Sequence, residues 1–184
     1  ARTVMDETFR RVVAWLAPML CFTMEEAWTC RYGESASVHL EFFPTTPAAW
    51  KNAEAIAKWS RIRALRRVVT GALEVVRRDK AIGSSLEAAP VLYVADPGDA
   101  ALFESADLAE IAITSSAKLA LGEGPAEAFR LSDVAGAAAQ FEAAEGRKCA
   151  RCWMILPEVG AVPGRSDLCR RCSDAVDHLE RKTS

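Results

Sequence analysis

The sequence predicts a mainly α-helical protein with a small α+β element and a cysteine-framed module at its C-terminal end, on three observations. Apolar residues recur at helical spacing through most of the first 80 positions. Short apolar runs bounded by Asp, Pro and Gly follow between about 90 and 144, and four of the six cysteines stand as two Cys-x-x-Cys pairs near the end. The expected division is therefore 1–85, 86–146 and 147–184.

Met5, Phe9, Val12, Val13 and Leu16 form the stripe of a first amphipathic helix, which Pro18 interrupts. Thr23 and Glu26 have the spacing of a capping box for a short second helix that runs to about Cys30 and stops near Gly33. Cys21 and Cys30, in apolar helical surroundings, are expected to be small buried residues. Gly33, Pro44 and Pro47 make 33–49 a surface excursion, with 38–42 extended. From Trp50 to Asp79 runs the longest helical signal, placing Ile62, Leu65, Val69, Ala72, Leu73 and Val76 on one face and Arg63, Arg67 and Arg78 opposite. Arg66 and Arg77 fall at the flank, and Gly71 inside the helix fits either a close approach or ordinary tolerance. Beyond Gly83, residues 90–95 read as a strand ended by the turn Asp96-Pro97-Gly98-Asp99, and 99–109 as a helix. Strands are expected around 111–114, 117–121, 129–131 and 139–144, with 134–144 ambiguous with helix.

With 51% apolar and 26% charged residues in 184, the chain folds around a core of its own and needs no disulfides. No apolar stretch of about 18 residues and no secretory signal is present, so a cytoplasmic chain without membrane contact is expected. Ala1 in place of an initiator Met suggests a piece of something longer. The net charge of −2 conceals a partition: 51–80 carries 9 basic and 3 acidic groups, 81–146 carries 2 and 11, and 147–184 carries 8 and 5. Two basic blocks around an acidic one point to a polyanion partner touching selected surfaces, or to a merely solvated helix face.

Cys149, Cys152, Cys169 and Cys172 have the pattern C-x2-C-x16-C-x2-C of a four-thiolate zinc site. Each two-residue gap lets one tight knuckle aim two sulfurs at a metal about 2.3 Å away, and two knuckles complete a tetrahedron with no open position, so one structural zinc is expected. Pro157, Gly160, Pro163 and Gly164 suit a hairpin between the knuckles. Disulfides lack an oxidising context, a redox dithiol needs one such pair rather than two, and iron is the alternative metal for the same four thiolates. Arg147, Lys148, Arg151, Arg170 and Arg171 surround the knuckles with Trp153 beside them, a set suited to clamping phosphates and stacking on an unpaired base. Trp153 can equally serve as the core of so small a module.

Phe22-Thr23-Met24-Glu25-Glu26-Ala27-Trp28, the long helix with Arg63 and Arg66 to Val69, Ile82-Gly83-Ser84-Ser85-Leu86-Glu87-Ala88 and Gly146-Arg147-Lys148-Cys149-Ala150-Arg151-Cys152-Trp153 occur in that order. Together they resemble the C-terminal region of bacterial isoleucyl-tRNA synthetases over nearly the whole chain. The resemblance implies a helical anticodon-binding domain, a small α/β subdomain and a zinc-bearing tail, cytoplasmic and monomeric. It implies the anticodon stem-loop of tRNA(Ile) and the remainder of the synthetase as partners. The two basic blocks around the acidic one then place Arg63, Arg66 and Arg67 on backbone phosphates and the tail near the loop bases. The family's His-Ile-Gly-His and Lys-Met-Ser-Lys-Ser segments are missing: His39 and His178 stand far apart and read as ordinary surface or helix residues. ATP and Mg2+ would thus belong to a catalytic core outside this chain, which alone would form no adenylate. The competing readings are the zinc finger of a DNA repair glycosylase and a non-catalytic zinc-ribbon adaptor.

Overall fold

A computed structural model of the chain describes residues 2–183. It divides between Asn52 and Ala53 into two compact units, and about half of the chain is helical.

In the first unit, α1 (Arg2–Leu16) and α2 (Cys21–Tyr32) bury Val13, Ala14 and Ala17 against Trp28 and Val38. The Trp28 ring stacks with Phe9 at 6.4 Å and lies 4.4 Å from Tyr32, the last residue of α2. Met5 is 70% exposed and Val12 41%; of the expected stripe only Val13 is buried, with Phe9 and Leu16 half-buried. The capping box does not form, because the tight turn after Leu16 makes Leu20 the N-cap, so that Thr23 already lies inside the first turn. Glu25 accepts from the Val38 amide at 2.9 Å instead. Cys21 and Cys30 are exposed, not buried. Cys30 lies about 200° around the helix from Trp28, the face that α2 does not pack, and Cys21 sits in its first turn. Residues 38–40 form a 3-10 turn rather than a strand, since the Ser37 hydroxyl accepts from His39 N and tightens the backbone.

The second unit is built around α3 (Ala53–Arg78), which buries Ile62, Leu65, Val68, Val69, Ala72 and Leu73. Its core partner is a mixed sheet of β1 (Val91–Val94), β2 (Lys118–Leu121) and β3 (Ala137–Gln140) in the order β2-β1-β3. β1 runs parallel to β2 and antiparallel to β3, with Leu92 opposite Leu119 on one side and Ala139 on the other. Leu65, Val68, Val69 and Ala72 meet Leu92, Val94, Ala137 and Ala139 in one core, so α3 and the sheet fold as one body. The composition change after Gly83 marks where helix gives way to strand within that body. The region expected as one helix at 99–109 is α4 (Pro97–Ala101), a 3-10 turn and α5 (Leu108–Ala112). Asp96 and Asp107 accept from amides at 2.8 Å and start the two helices, which is why the Asp-Pro-Gly-Asp segment already opens a helix instead of forming only a turn. Ile111 and Ala112 end α5 rather than forming a strand, and Phe129 makes only a single bridge to Ala139.

Gly71 is a packing glycine: a Cβ there would lie 2.4 Å from the Phe129 ring. In an exposed helix Gly→Ala gains about 1 kcal/mol, but displacing a packed ring costs about 1–3 kcal/mol. Gly71→Ala is therefore expected to lower the denaturant midpoint, and a raised midpoint would refute the contact.

Candidate metal centre and its basic surround

Beyond Ala144 the chain forms a short hairpin, β4 (Arg147–Lys148) against β5 (Ile155–Leu156), which brackets the first knuckle instead of crossing between the two. Cys149 N donates to Met154 O and Trp153 N to Cys149 O, both at 2.9 Å, closing the knuckle inside the hairpin. Gly146 admits it: φ is +117°, and a Cβ would sit 2.3 Å from the Leu156 carbonyl carbon. The second knuckle opens α6 (Arg170–Thr183), a helix the sequence reading did not foresee.

The four sulfurs lie within 4.8 Å of one another, and Cys152 and Cys169 Sγ are 3.8 Å apart. A tetrahedron with metal–sulfur bonds of about 2.3 Å has edges of about 3.8 Å, so the cluster fits one zinc closely. Cys149, Cys169 and Cys172 are fully buried, with Val159 packed on them as the module's core. Burial acts to raise the Cys149 thiol, but amides of Cys152, Cys169 and Arg151 outweigh it and bring it down to about 6. Burial pushes Cys169 up to about 12, with its sulfur neighbours adding to the rise. Four thiolates this close therefore need a cation at their centre, which is the chemistry of the donor set. Zinc here would hold the two knuckles together.

The basic residues of the tail divide into two groups. Arg151, of the first knuckle, donates to Cys172 Sγ of the second at 3.7 Å. Arg171, of the second, donates to Met154 Sδ at 3.5 Å, and its interaction with the Cys152 sulfur of the first knuckle raises its pKa. Arg147, Lys148 and Arg170 are exposed, and Trp153 is 62% exposed on a left-handed backbone (φ +66°) with the Lys148 ammonium 5.7 Å from its ring. Trp153 is thus a surface ring and not the module's core.

Ser115 latches the module to the rest of the unit. Its buried hydroxyl donates to Leu86 O and accepts from Ile155 N, at 2.5 and 2.7 Å. No sequence pattern marks a lone Ser for this.

The arginines of α3 are largely engaged within the unit. Arg66 Nε donates to Ile111 O at 2.7 Å, Arg67 pairs with Asp133 at 2.9 Å, and Arg63 reaches Ser60 of its own helix. The strongest tie is one the sequence reading missed: Arg61 grips the buried Asp99 through both carboxylate oxygens and also donates to Ala135 O. The Asp99 hydrogen bond raises the Arg61 pKa. Part of the charge partition along the chain is therefore spent internally, α3 against the acidic element.

A helical pair, a helix-on-sheet body and a four-cysteine finger follow one another along the chain, and two sequence families cover its two ends. Residues 1–93 match the family described as the anticodon-binding domain of tRNA ligase, and 146–175 match a zinc finger found in FPG and IleRS. The chain belongs to the anticodon-binding domain family of tRNA ligases, and its relatives are isoleucine–tRNA ligases. It is 51% identical over 177 residues to that of Agrobacterium fabrum and 52% identical over 177 residues to that of Ruegeria pomeroyi, covering 96% of this chain in each case. The enzyme of Caulobacter vibrioides is 49% identical over 179 residues, 97% of this chain. The chain spans 18% of the length of each of these relatives. No helix among the described residues is long and apolar enough to cross a membrane.

Proposed function

We propose that this chain is the tRNA-selecting part of an isoleucine–tRNA ligase: it holds the anticodon stem-loop of tRNA(Ile) while a catalytic core outside it, with ATP and Mg2+, aminoacylates the acceptor end. One zinc at Cys149, Cys152, Cys169 and Cys172 makes the tail rigid, and the working ligase is a cytoplasmic monomer. The observation that carries this reading is Trp153, a large ring left 62% exposed on the turn that closes a metal knuckle. Lys148, Arg147 and Arg170 supply phosphate contacts around it, as an unpaired base stacked on the ring would require. Arg63, on the free face of α3, is a second phosphate contact, with Arg66 and Arg67 beside it; Arg151 and Arg171 act through the sulfurs they hold. The glycosylase and adaptor readings share the finger but leave the match over residues 1–93 without a purpose.

Trp153→Ala tests the reading. Because the ring is not core, zinc content is expected to stay at one equivalent while affinity for a tRNA(Ile) transcript falls by about 1–3 kcal/mol. Unchanged affinity would remove the tail from RNA recognition.

A further inference from the structure

A groove of about 190 Å³ runs between the C-terminal half of α3, the end of α5 and the 3-10 turn at Ser85–Glu87. Arg66, Thr70, Glu74, Arg77, Ser85 and Ile113 line it. Arg66 is anchored here through one nitrogen only: Nε is bonded to Ile111 O, while both terminal nitrogens have no partner among the described residues. Across the groove the Ser85 hydroxyl is likewise unpartnered, because Ser84, and not Ser85, caps the turn. Arg77 gives one nitrogen to Glu74. Two guanidinium groups against one carboxylate leave a single net positive charge, which matches the single negative charge of a phosphodiester. A guanidinium whose plane is already fixed by a backbone carbonyl loses little freedom on gripping an oxyanion.

The groove also adjoins the metal module through bonded neighbours. Ser85 precedes Leu86, whose carbonyl holds the Ser115 hydroxyl, and that hydroxyl holds Ile155 of the zinc hairpin, two residues beyond Trp153. The groove and the exposed ring of the tail are thus tied through one hydroxyl, Ser115.

We propose that the groove lined by Arg66, Arg77 and Ser85 is a binding site for one phosphodiester of the RNA backbone. The proposal rests on the RNA-binding reading above and specifies a contact within it. Ile113, 57% exposed at the rim, offers an apolar surface to the adjoining ribose. Glu74 limits the affinity of the site by occupying Arg77.

Two probes test it on the full chain with zinc bound. Inorganic phosphate, added to 15N-labelled protein, is expected to shift the amide signals of Ser85 and Ile113 and the Nε signal of Arg66. A tRNA(Ile) transcript is then titrated across a salt series with wild type, Ser85→Asp and Glu74→Gln. Ser85→Asp disturbs no side-chain hydrogen bond, so zinc content and circular dichroism should match wild type. It is expected to abolish the phosphate shifts and to make the dependence of log affinity on log salt shallower by roughly 0.7 to 0.9, the loss of one phosphate contact. Glu74→Gln, which frees Arg77, is expected to tighten both phosphate and tRNA. Wild type binding tRNA with Ser85→Asp equal to it in affinity and salt slope would overturn the groove and leave the broader reading standing. Phosphate shifts lost in Ser85→Asp with RNA binding unchanged would assign the groove to free anions and overturn the RNA contact. A wild-type chain that binds no tRNA would overturn both.

Discussion

Stripping the metal is expected to unfold the tail from Gly146 onward while α3 and its sheet stay folded. The finger's own core is Val159 and the four cysteines with little more than Leu156 and Leu168 around them, too little apolar area to hold some forty residues in place. Metal binding supplies the difference: structural zinc in such modules is worth on the order of 10 kcal/mol. The Leu65–Leu92–Ala139 core does not include the finger, so its amides should keep their exchange protection in chelator. Those of Cys149, Val159 and Cys172 should lose theirs, and zinc added back should restore them. Cys149→Ser should show the same pattern in part, because one of four ligands is replaced by a poorer one. Protection of the tail in a metal-free sample would refute the four-thiolate assignment.

Asp99→Ala is expected to be the most damaging loss of a polar contact in the α3–sheet body. Asp99 is 6% exposed, and both of its oxygens are bonded to Arg61, whose side chain keeps about a third of its surface in water. Truncating one partner of a buried pair costs about 3–5 kcal/mol, and the part-exposed guanidinium lowers that to about 2–4 kcal/mol. The bond from Arg61 to Ala135 O would weaken with it, loosening the turn that leads into β3. Urea unfolding followed by helix signal measures the loss. Arg67→Ala, which removes an ion pair open to water on both sides, should cost less than about 1 kcal/mol and serves as the control. Equal losses for the two variants would show that burial of Asp99 contributes nothing.

How much of this was legible in the sequence depended on whether a feature repeats along the chain. The buried face of α3 follows from spacing alone, since Ile62, Leu65, Val69, Ala72 and Leu73 share one side of a 3.6-residue helix; Val68 joins them because the sheet covers a wider arc than a single stripe. The metal ligands were readable for the same reason, two identical knuckles at a spacing that geometry restricts. Pairings between distant segments left no such trace. Arg61 with Asp99, and Ser115 between Leu86 and Ile155, join residues 29 to 40 positions apart whose types are common on any surface. Local rules also misjudged the helix starts. Asp96 reads as a turn residue and as an N-cap with equal ease, and only the backbone that follows decides; at Thr23 a sound capping pattern lost to a turn that had already begun α2. Cys21 and Cys30 show the limit of averages: cysteine is usually interior, but these two lie outside the face that α2 packs.

The bond from Arg151 to Cys172 and the place of Arg171 beside the cysteine sulfurs change how the tail should be counted as a polycation. Four thiolates around one dication would leave two negative charges, which the guanidinium groups of Arg151 and Arg171 beside those sulfurs would offset. The centre would then be close to neutral, a salt sealed inside the finger. What remains to greet a nucleic acid is Arg147, Lys148 and Arg170, the three exposed cations nearest the knuckles that stay clear of the sulfurs. A basic finger of this type would thus respond to ionic strength as a ligand with a few charges, not as the strongly cationic peptide its composition describes, and the centre's own electroneutrality would be preserved whether or not RNA is bound.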